Sequence, residues 1–399
     1  MGSSRAATTH RQSHVRLDII IVGAGLGGLA AAISISQSGH NVIVYEAAKE
    51  LAEVGAGLQL TPNCTKILQQ CGLSDAFWAS GAEPTSLSIH RYTGSILAHD
   101  EAFSCTTRKR YDAPFLDMHR CDLQQALYER AKALGVEFRF GSRITDMEFE
   151  RARPMVSTEQ GSCCVADLVV AADGLWSRCR SRFLDRDDPP KPTGDLAYRV
   201  VLDLEQIQDP ELRRWVSEPT CHFWIGPGAH AVGYSLRGGR MYNIVLLVPD
   251  DLPSGVSRQP GSVEEMKALF KGWDPILARF LDLVDNVDKW KLMHRKSSVE
   301  WRSLEVPNML LGDEMTSWVN DHSNLVFTGD ACHPMLPYLA QGANSAIEDG
   351  TVLGLLLGRI ESRDHVPHAL KTYENLRKAR GESIVRETFK QVCFQVHSS

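Results

Sequence analysis

Residues 18–22, Asp-Ile-Ile-Ile-Val, are apolar without alternation after the first position, which predicts a short strand buried on both faces. A glycine-rich turn follows, then a helix from near Leu26 to about Ser38, then a second apolar block over 41–45. Strand, glycine turn, helix, strand is a βαβ unit, and it implies a parallel sheet covered on both sides. Further along, Leu123, Leu127, Ala131 and Leu134 form one stripe of a helix predicted over 122–134. Residues 165–171 read as another buried strand.

The pattern changes between about 190 and 250. Strands are predicted over 196–204, 221–225, 229–236 and 241–248, and Arg237-Gly238-Gly239-Arg240 is a hairpin signal between the last two. Period-two spacing puts His230, Val232, Tyr234 and Leu236 on one strand face, and Tyr242, Ile244, Leu246 and Val248 on another. Helical spacing returns over 262–285. A short apolar strand at 325–328 precedes two helical stretches. A parallel α/β fold is thus interrupted by an antiparallel sheet and then resumed.

Composition adds exclusions. The chain has 399 residues, 43% hydrophobic and 23% charged, so it is long enough to bury a sizeable core unaided. A net charge of -6 argues against nucleic acid or an anionic membrane as main partner. The ten cysteines include no C-x-x-C pair, so no metal site is expected and the thiols read as reduced. Residues 1–14 are polar and basic, unlike a secretory signal, and predict a disordered tail. No apolar run reaches the ~18 residues of a membrane span. A cytoplasmic protein is expected, as monomer or homodimer.

Gly23-Ala24-Gly25-Leu26-Gly27-Gly28 is G-x-G-x-x-G between a buried strand and a helix, and Glu46 closes the second strand about 20 residues on. Gly23, Gly25 and Gly28 let backbone approach a pyrophosphate at the helix N-terminus, while Glu46 is placed to accept from ribose hydroxyls. This loop alone leaves FAD and NAD both open. Asp173-Gly174-Leu175-Trp176-Ser177-Arg178-Cys179-Arg180 follows one later strand, and Gly329-Asp330-Ala331-Cys332-His333-Pro334 follows another. Both acids stand just past strand C-termini, where open α/β sheets bind ligands. An isolated Asp-Gly there is more often a plain turn.

Taken together, the three motifs resemble those of the class A, single-component FAD-dependent aromatic monooxygenases, in particular the fungal salicylate hydroxylase-like branch. The stretches 54–63 and 329–349 carry the resemblance further, and it runs from about residue 18 to the end. It implies a Rossmann-like FAD-binding domain in two parts, 15–185 and 301–399, the second ending in C-terminal helices. A substrate-binding sheet domain would occupy mainly 186–300, with some of its strands around 85–115. It implies tightly bound FAD, NADPH or NADH as transient reductant, O2, and a small aromatic substrate, a phenol or an indole, oxygenated through a flavin C4a-hydroperoxide. Glu46 would bind the adenosine ribose, Gly57 would lie near the flavin, and Arg120 would hold the phosphate–ribityl chain. Asp173 would serve FAD and the nicotinamide approach, oriented by Arg180, and Asp330 would accept from the ribityl hydroxyls. Gly342 and Ala343 would open a helix toward the flavin pyrimidine edge, where positive potential favours the reduced anion. His333 is expected to be structural.

Arg199 interrupts an apolar strand, which is unusual unless its guanidinium meets a partner. The resemblance places it in the active site, with Tyr234 as a hydrogen-bond partner and His230 as a weaker candidate. A solvent-facing Arg199 and an ordinary core Tyr234 are the plain alternatives. A dehydrogenase would leave Asp330 and the Gly342–Ala343 helix start unexplained. A flavin oxidase, or a protein that keeps FAD without chemistry, stays open, and the W-x-W-x-I-P stretch of related halogenases is absent.

Overall fold

The computed structural model describes residues 12–51, 56–295 and 315–397, with side chains to 390. Residues 1–11 of the expected tail, Val54 and Gly55 of the 54–63 stretch, and 296–314 lie outside the described residues. The last part of the expected tail is anchored. Ser13 donates its amide to Ser38 O (3.0 Å) at the end of the first helix, and its hydroxyl to Ile360 O (2.9 Å).

Asp18–Val22 forms the middle of a five-stranded sheet, in the order Leu325–Phe327, Leu168–Ala171, Asp18–Val22, Asn41–Tyr45 and Glu137–Arg139. Every neighbouring pair is parallel. The unbroken Ile and Val runs suit a sheet covered on both faces. One cover is the helix Leu26–Gln37 backed by the helix Gly342–Leu357. Their contact is lined with small residues: a Cβ on Gly350 would stand 2.5 Å from Ala31 N, and one on Gly354 would stand 2.3 Å from Ser34 Oγ. Only missing side chains let two helix backbones come this close.

The strand predicted over 165–171 is two elements. Cys163–Val165 belongs to a small antiparallel sheet with Met155–Thr158 and Ile144–Glu148, and only Leu168–Ala171 joins the parallel sheet. The break falls at Asp167, whose carboxylate accepts from Asp18 N (2.9 Å) and pairs with Arg153 and Arg363, so it turns out of the apolar run.

A second sheet has eight strands, in the order Arg258–Gly261, Val287–His294, Lys191–Asp203, Met241–Pro249, Ala229–Leu236, Thr220–Gly226, Ser86–Arg91 and Ile96–Asp100. It is mixed rather than antiparallel as expected. Ser86–Arg91 runs parallel to Thr220–Gly226. The two come from chain excursions far apart, so no hairpin imposes opposite directions.

Register settles the faces of this sheet. Tyr234 lies opposite Asn243, and Arg199 opposite Val245, which lies opposite Val232. Tyr198, Val200, Tyr242, Ile244 and Leu246 point the other way, into a core closed by Met266, Phe270, Leu277 and Phe280 of the helices Val263–Leu269 and Pro275–Leu281. Arg199, Asn243, Tyr234 and His230 therefore share the face turned toward the nucleotide fold, where Gly57 N donates to Asn243 Oδ1 (2.8 Å).

Candidate functional site

Four neighbouring strands of the parallel sheet end side by side. Leu325–Phe327 leads to Asp330, Leu168–Ala171 to Asp173, Asp18–Val22 to Gly23, and Asn41–Tyr45 to Glu46. At the usual spacing between strands the row spans about 14 Å, enough to hold an extended ligand by its middle and both ends.

At the Glu46 end the loop is built by exclusion. Gly23 has φ +105°, and a Cβ there would meet Ala172 O at 2.5 Å; a Cβ on Gly28 would meet Gly23 O at 2.1 Å. Gly25 caps the helix Leu26–Gln37, and a Cβ on it would meet nothing within 4 Å. The crowded glycines set the turn, and the open one leaves room for a ligand at the helix N-terminus. Glu46 accepts from Ala24 N and from Ala48 N, both at 2.8 Å, which fixes its carboxylate beside the loop. Gly23, Gly25, Glu46, Asp173 and Arg178 line one cleft of about 300 Å³.

Asp173 accepts from Ser177 Oγ (2.6 Å) and Cys179 N (3.0 Å). These bonds hold it in the cleft wall. The expected orienting role of Arg180 is not observed: its Nε donates to Asp188 (2.5 Å), which Arg295 also engages. Asp173 is positioned within its own turn, and Arg180, only 1% exposed, ties that turn to the strand region ending at Arg295.

At the other end, Asp330 has a solvent-accessible carboxylate surrounded by protein, as expected of a group in a recess. Burial raises its pKa, and the charges of His333 and Arg120 pull the other way. The turn before it is fixed from below. Gly329 N donates to Asp349 Oδ2 (3.0 Å), His333 Nε2 bonds the same oxygen, and Arg377 Nε reaches Oδ1 (2.6 Å). His333 is thus a support for the turn, as expected. A Cβ on Gly329 would stand 3.0 Å from Ala346 Cβ, and one on Gly27 3.1 Å, so the dinucleotide loop and the Asp330 turn converge on one residue of the helix Gly342–Leu357.

That helix begins at Gly342 and Ala343, both half-buried, and a Cβ on Gly342 would meet nothing within 4 Å. Its start is tied to the strand Gly57–Leu60: Thr61 N donates to Asn344 Oδ1 (3.1 Å), and Asn344 Nδ2 to Gln59 O (2.9 Å). Arg120 opens the helix Arg120–Ala133, its amide donating to Ala56 O (3.0 Å). Its charge acts on both Asp330 and Arg199.

Across from these stands the sheet face. Tyr234 is 4% exposed, and among the described residues its hydroxyl makes no hydrogen bond. Burial raises its pKa, as does the charge of Asp117, while Arg199 acts the other way. Arg199 is half-buried, with its guanidinium 4.9 Å from the Trp290 ring centre and no carboxylate partner among the described residues. Burial and then the like charge of Arg120 lower its pKa, yet an arginine stays protonated. His230 packs against Tyr338 at 5.4 Å between ring centres; burial pushes its pKa down to about 4, so it is neutral.

The open helix starts at Gly25 and Gly342, carboxylates at both ends of the strand row, and guanidiniums at Arg120 and Arg199 that have no carboxylate partner among the described residues suit an extended, anionic dinucleotide. The family model described as FAD binding domain matches residues 16–244 and 288–388. The chain belongs to the class A FAD-dependent monooxygenases. Its cofactor is FAD, with NAD(P)H as reductant. This monooxygenase is 47% identical to the FAD-dependent monooxygenase OpS4 of Beauveria bassiana over 380 residues, covering 94% of this chain and 84% of that one. It is 33% identical to the FAD-dependent monooxygenase atnJ of Arthrinium sp, covering 96% and 86%. It is 31% identical to 3-hydroxybenzoate 6-hydroxylase of Polaromonas naphthalenivorans, covering 92% and 86%. In fold it matches a crystal structure of CtdE with FAD and substrate at TM-score 0.83 and 23% identity, over 96% and 90% of the two chains.

Several contributors escape motif reading. Asn243 is a polar residue on an apolar strand, a signal the sequence does offer. Asp349 and Gln59 fall inside stretches that carry the resemblance, but nothing in the sequence pairs them, or Arg377, with partners 16 or more residues away. No helix among the described residues is long and apolar enough to cross a membrane.

Proposed function

We propose that this monooxygenase oxygenates an electron-rich aromatic ring carrying an acidic oxygen, a phenol or phenolic acid, and that Arg199 and Tyr234 hold that oxygen. The observation that carries the reading is the guanidinium of Arg199, which has no carboxylate partner among the described residues, on the sheet face it shares with a Tyr234 hydroxyl that makes no hydrogen bond among them. A half-buried charge without a counter-ion is costly, and an anionic ligand oxygen offsets that cost. An indole offers no such oxygen, so the same observation favours the phenol. The relative named 3-hydroxybenzoate 6-hydroxylase carries a phenolic acid in its name.

FAD, when bound, supplies hydride acceptance and oxygen activation. Glu46 and Gly25 would hold its adenosine and pyrophosphate, Asp173 and Arg120 its middle, and Asp330 its ribityl chain. Gly342 and Ala343 would present amides and positive helix potential to the pyrimidine edge. Gly57 would pass close to the ring system without a side chain in the way. Arg199 orients the substrate oxygen, and Tyr234, whose hydroxyl burial keeps protonated, donates to it. Val232, Val245 and Leu247 keep water from the reacting face. Neutral His230 adds no competing charge.

The test is substrate-stimulated NAD(P)H oxidation across a panel of phenols, phenolic acids, their methyl ethers and indoles, with product and peroxide measured together. Phenols and phenolic acids should stimulate oxidation and give product. Equal product from methyl ethers or indoles would overturn the assignment of substrate class.

A further inference from the structure

Behind Tyr234 lies an acid that the scheme above does not use. Asp117, in the strand Leu116–His119, is 1% exposed. Its backbone is locked on both sides: Ala82 N donates to Asp117 O (2.9 Å) and Asp117 N to Ala82 O (2.7 Å), while the strand pairs with Gly57–Leu60 so that Asp117 faces Gln59. Gln59 Nε2 donates to Asp117 Oδ1 at 3.0 Å and stands 3.2 Å from Cys221 Sγ. Cys221 packs with Tyr234 in one apolar cluster. Among the described residues no lysine, arginine or histidine pairs with Asp117. His119, two residues on, has Asp122 within 4.0 Å.

The groups facing Asp117 come from several elements. Gln59 comes from the strand at the flavin side, and Cys221 and Tyr234 come from two strands of the large sheet, where Tyr234 also feels the charge of Arg199. Among the described residues no cation compensates a charge here. A carboxyl without a cation, buried this deeply, keeps its proton at neutral pH: burial pushes its pKa up to about 8, against the bond from Gln59.

We infer that Asp117 is a positioning residue for the reaction: as a neutral acid it lets Tyr234 and Arg199 hold an anionic substrate oxygen, and once ionised it repels that oxygen. The inference rests on the proposed role of Tyr234. Its physical content is one charge behind the anion site, in an interior where a like charge several ångströms away acts strongly. Gln59 also ties to the cofactor side, because its main-chain carbonyl accepts from Asn344 Nδ2 at the start of the helix Gly342–Leu357 (2.9 Å).

The experiment compares flavin-loaded wild type, Asp117→Asn, Gln59→Leu and Tyr234→Phe for KM and kcat of a phenolic acid between pH 6 and 10. Wild type should show KM rising on the order of tenfold through a break near 8, with kcat changing less. Asp117→Asn, which cannot ionise, should bind FAD and lose that break. Gln59→Leu removes a bond that favours the ionised form, so it should move the break to higher pH. A break retained in Asp117→Asn, or unmoved in Gln59→Leu, overturns the inference while leaving the proposed function intact. Unchanged turnover in Tyr234→Phe overturns the reading of the site, and this inference with it. If Asp117→Asn does not fold, the Gln59→Leu shift decides alone.

Discussion

Gly57 lies against the face of Tyr234 so closely that a Cβ on Gly57 would stand 2.6 Å from Tyr234 Cε2 and 2.9 Å from its hydroxyl. This contact joins the nucleotide fold to the large sheet, and it puts the candidate flavin strand and the candidate substrate face within van der Waals reach. Gly57→Ala should therefore displace Tyr234 or the strand itself. Overpacking of this kind costs roughly 1–3 kcal/mol. The expected result is a lower melting temperature and a loss of product formation larger than the loss of flavin. A variant with wild-type turnover would contradict the contact.

Arg199→Ala should retain FAD and lose most product formation. Removing a charged donor aimed at a reacting oxygen lowers the rate roughly 100-fold or more. Flavin absorbance and product yield, measured on one preparation, check this. Unchanged turnover would remove Arg199 from the mechanism.

Asp330→Ala should weaken flavin retention about tenfold, the effect of one lost hydrogen bond, with the protein still folded. The check is flavin stoichiometry after gel filtration. Normal stoichiometry would count against a ribityl role.

The support under the Asp330 turn has a defined pH response. Burial alone would raise the Asp349 pKa, but His333 and Arg377 hold it below the usual carboxylate range. Its stabilising contribution is present above about pH 4, the ordinary unfolded value, and is lost as pH falls through the lowered folded value. For His333, burial would lower the pKa, but Asp349 raises it; that contribution is complete below about pH 6.5 and fades as pH rises through the raised folded value. Asp349→Asn breaks a buried pair, at a cost of roughly 3–5 kcal/mol. Its melting-temperature deficit should be largest near pH 5–6 and shrink in acid. A deficit independent of pH would contradict the ionised pair.

Much of this was legible in the sequence because strand-end chemistry is local. The βαβ unit, Glu46, Asp173 and Asp330 each follow an apolar run within a few residues, and a strand end carries its turn with it. Arg199 stood out for a different reason, since a charge on an apolar strand is conspicuous, whereas Tyr234 was singled out by the family resemblance. What stayed hidden depends on contacts between distant segments. The parallel entry of Ser86–Arg91 into the large sheet, the break at Asp167 and the pairing of Arg180 with Asp188 have no period or motif to announce them. The last of these misled the reading of Asp173, since a motif arginine need not serve the motif's own acid.

The most direct test of the whole account is a crystal structure of the protein loaded with FAD. The account predicts the adenosine beside Glu46, the ribityl chain at Asp330, and the ring system between the Gly342 helix start and the face bearing Arg199 and Tyr234. A ring system bound away from that face, or a nucleotide that does not run along the row from Glu46 to Asp330, would contradict it.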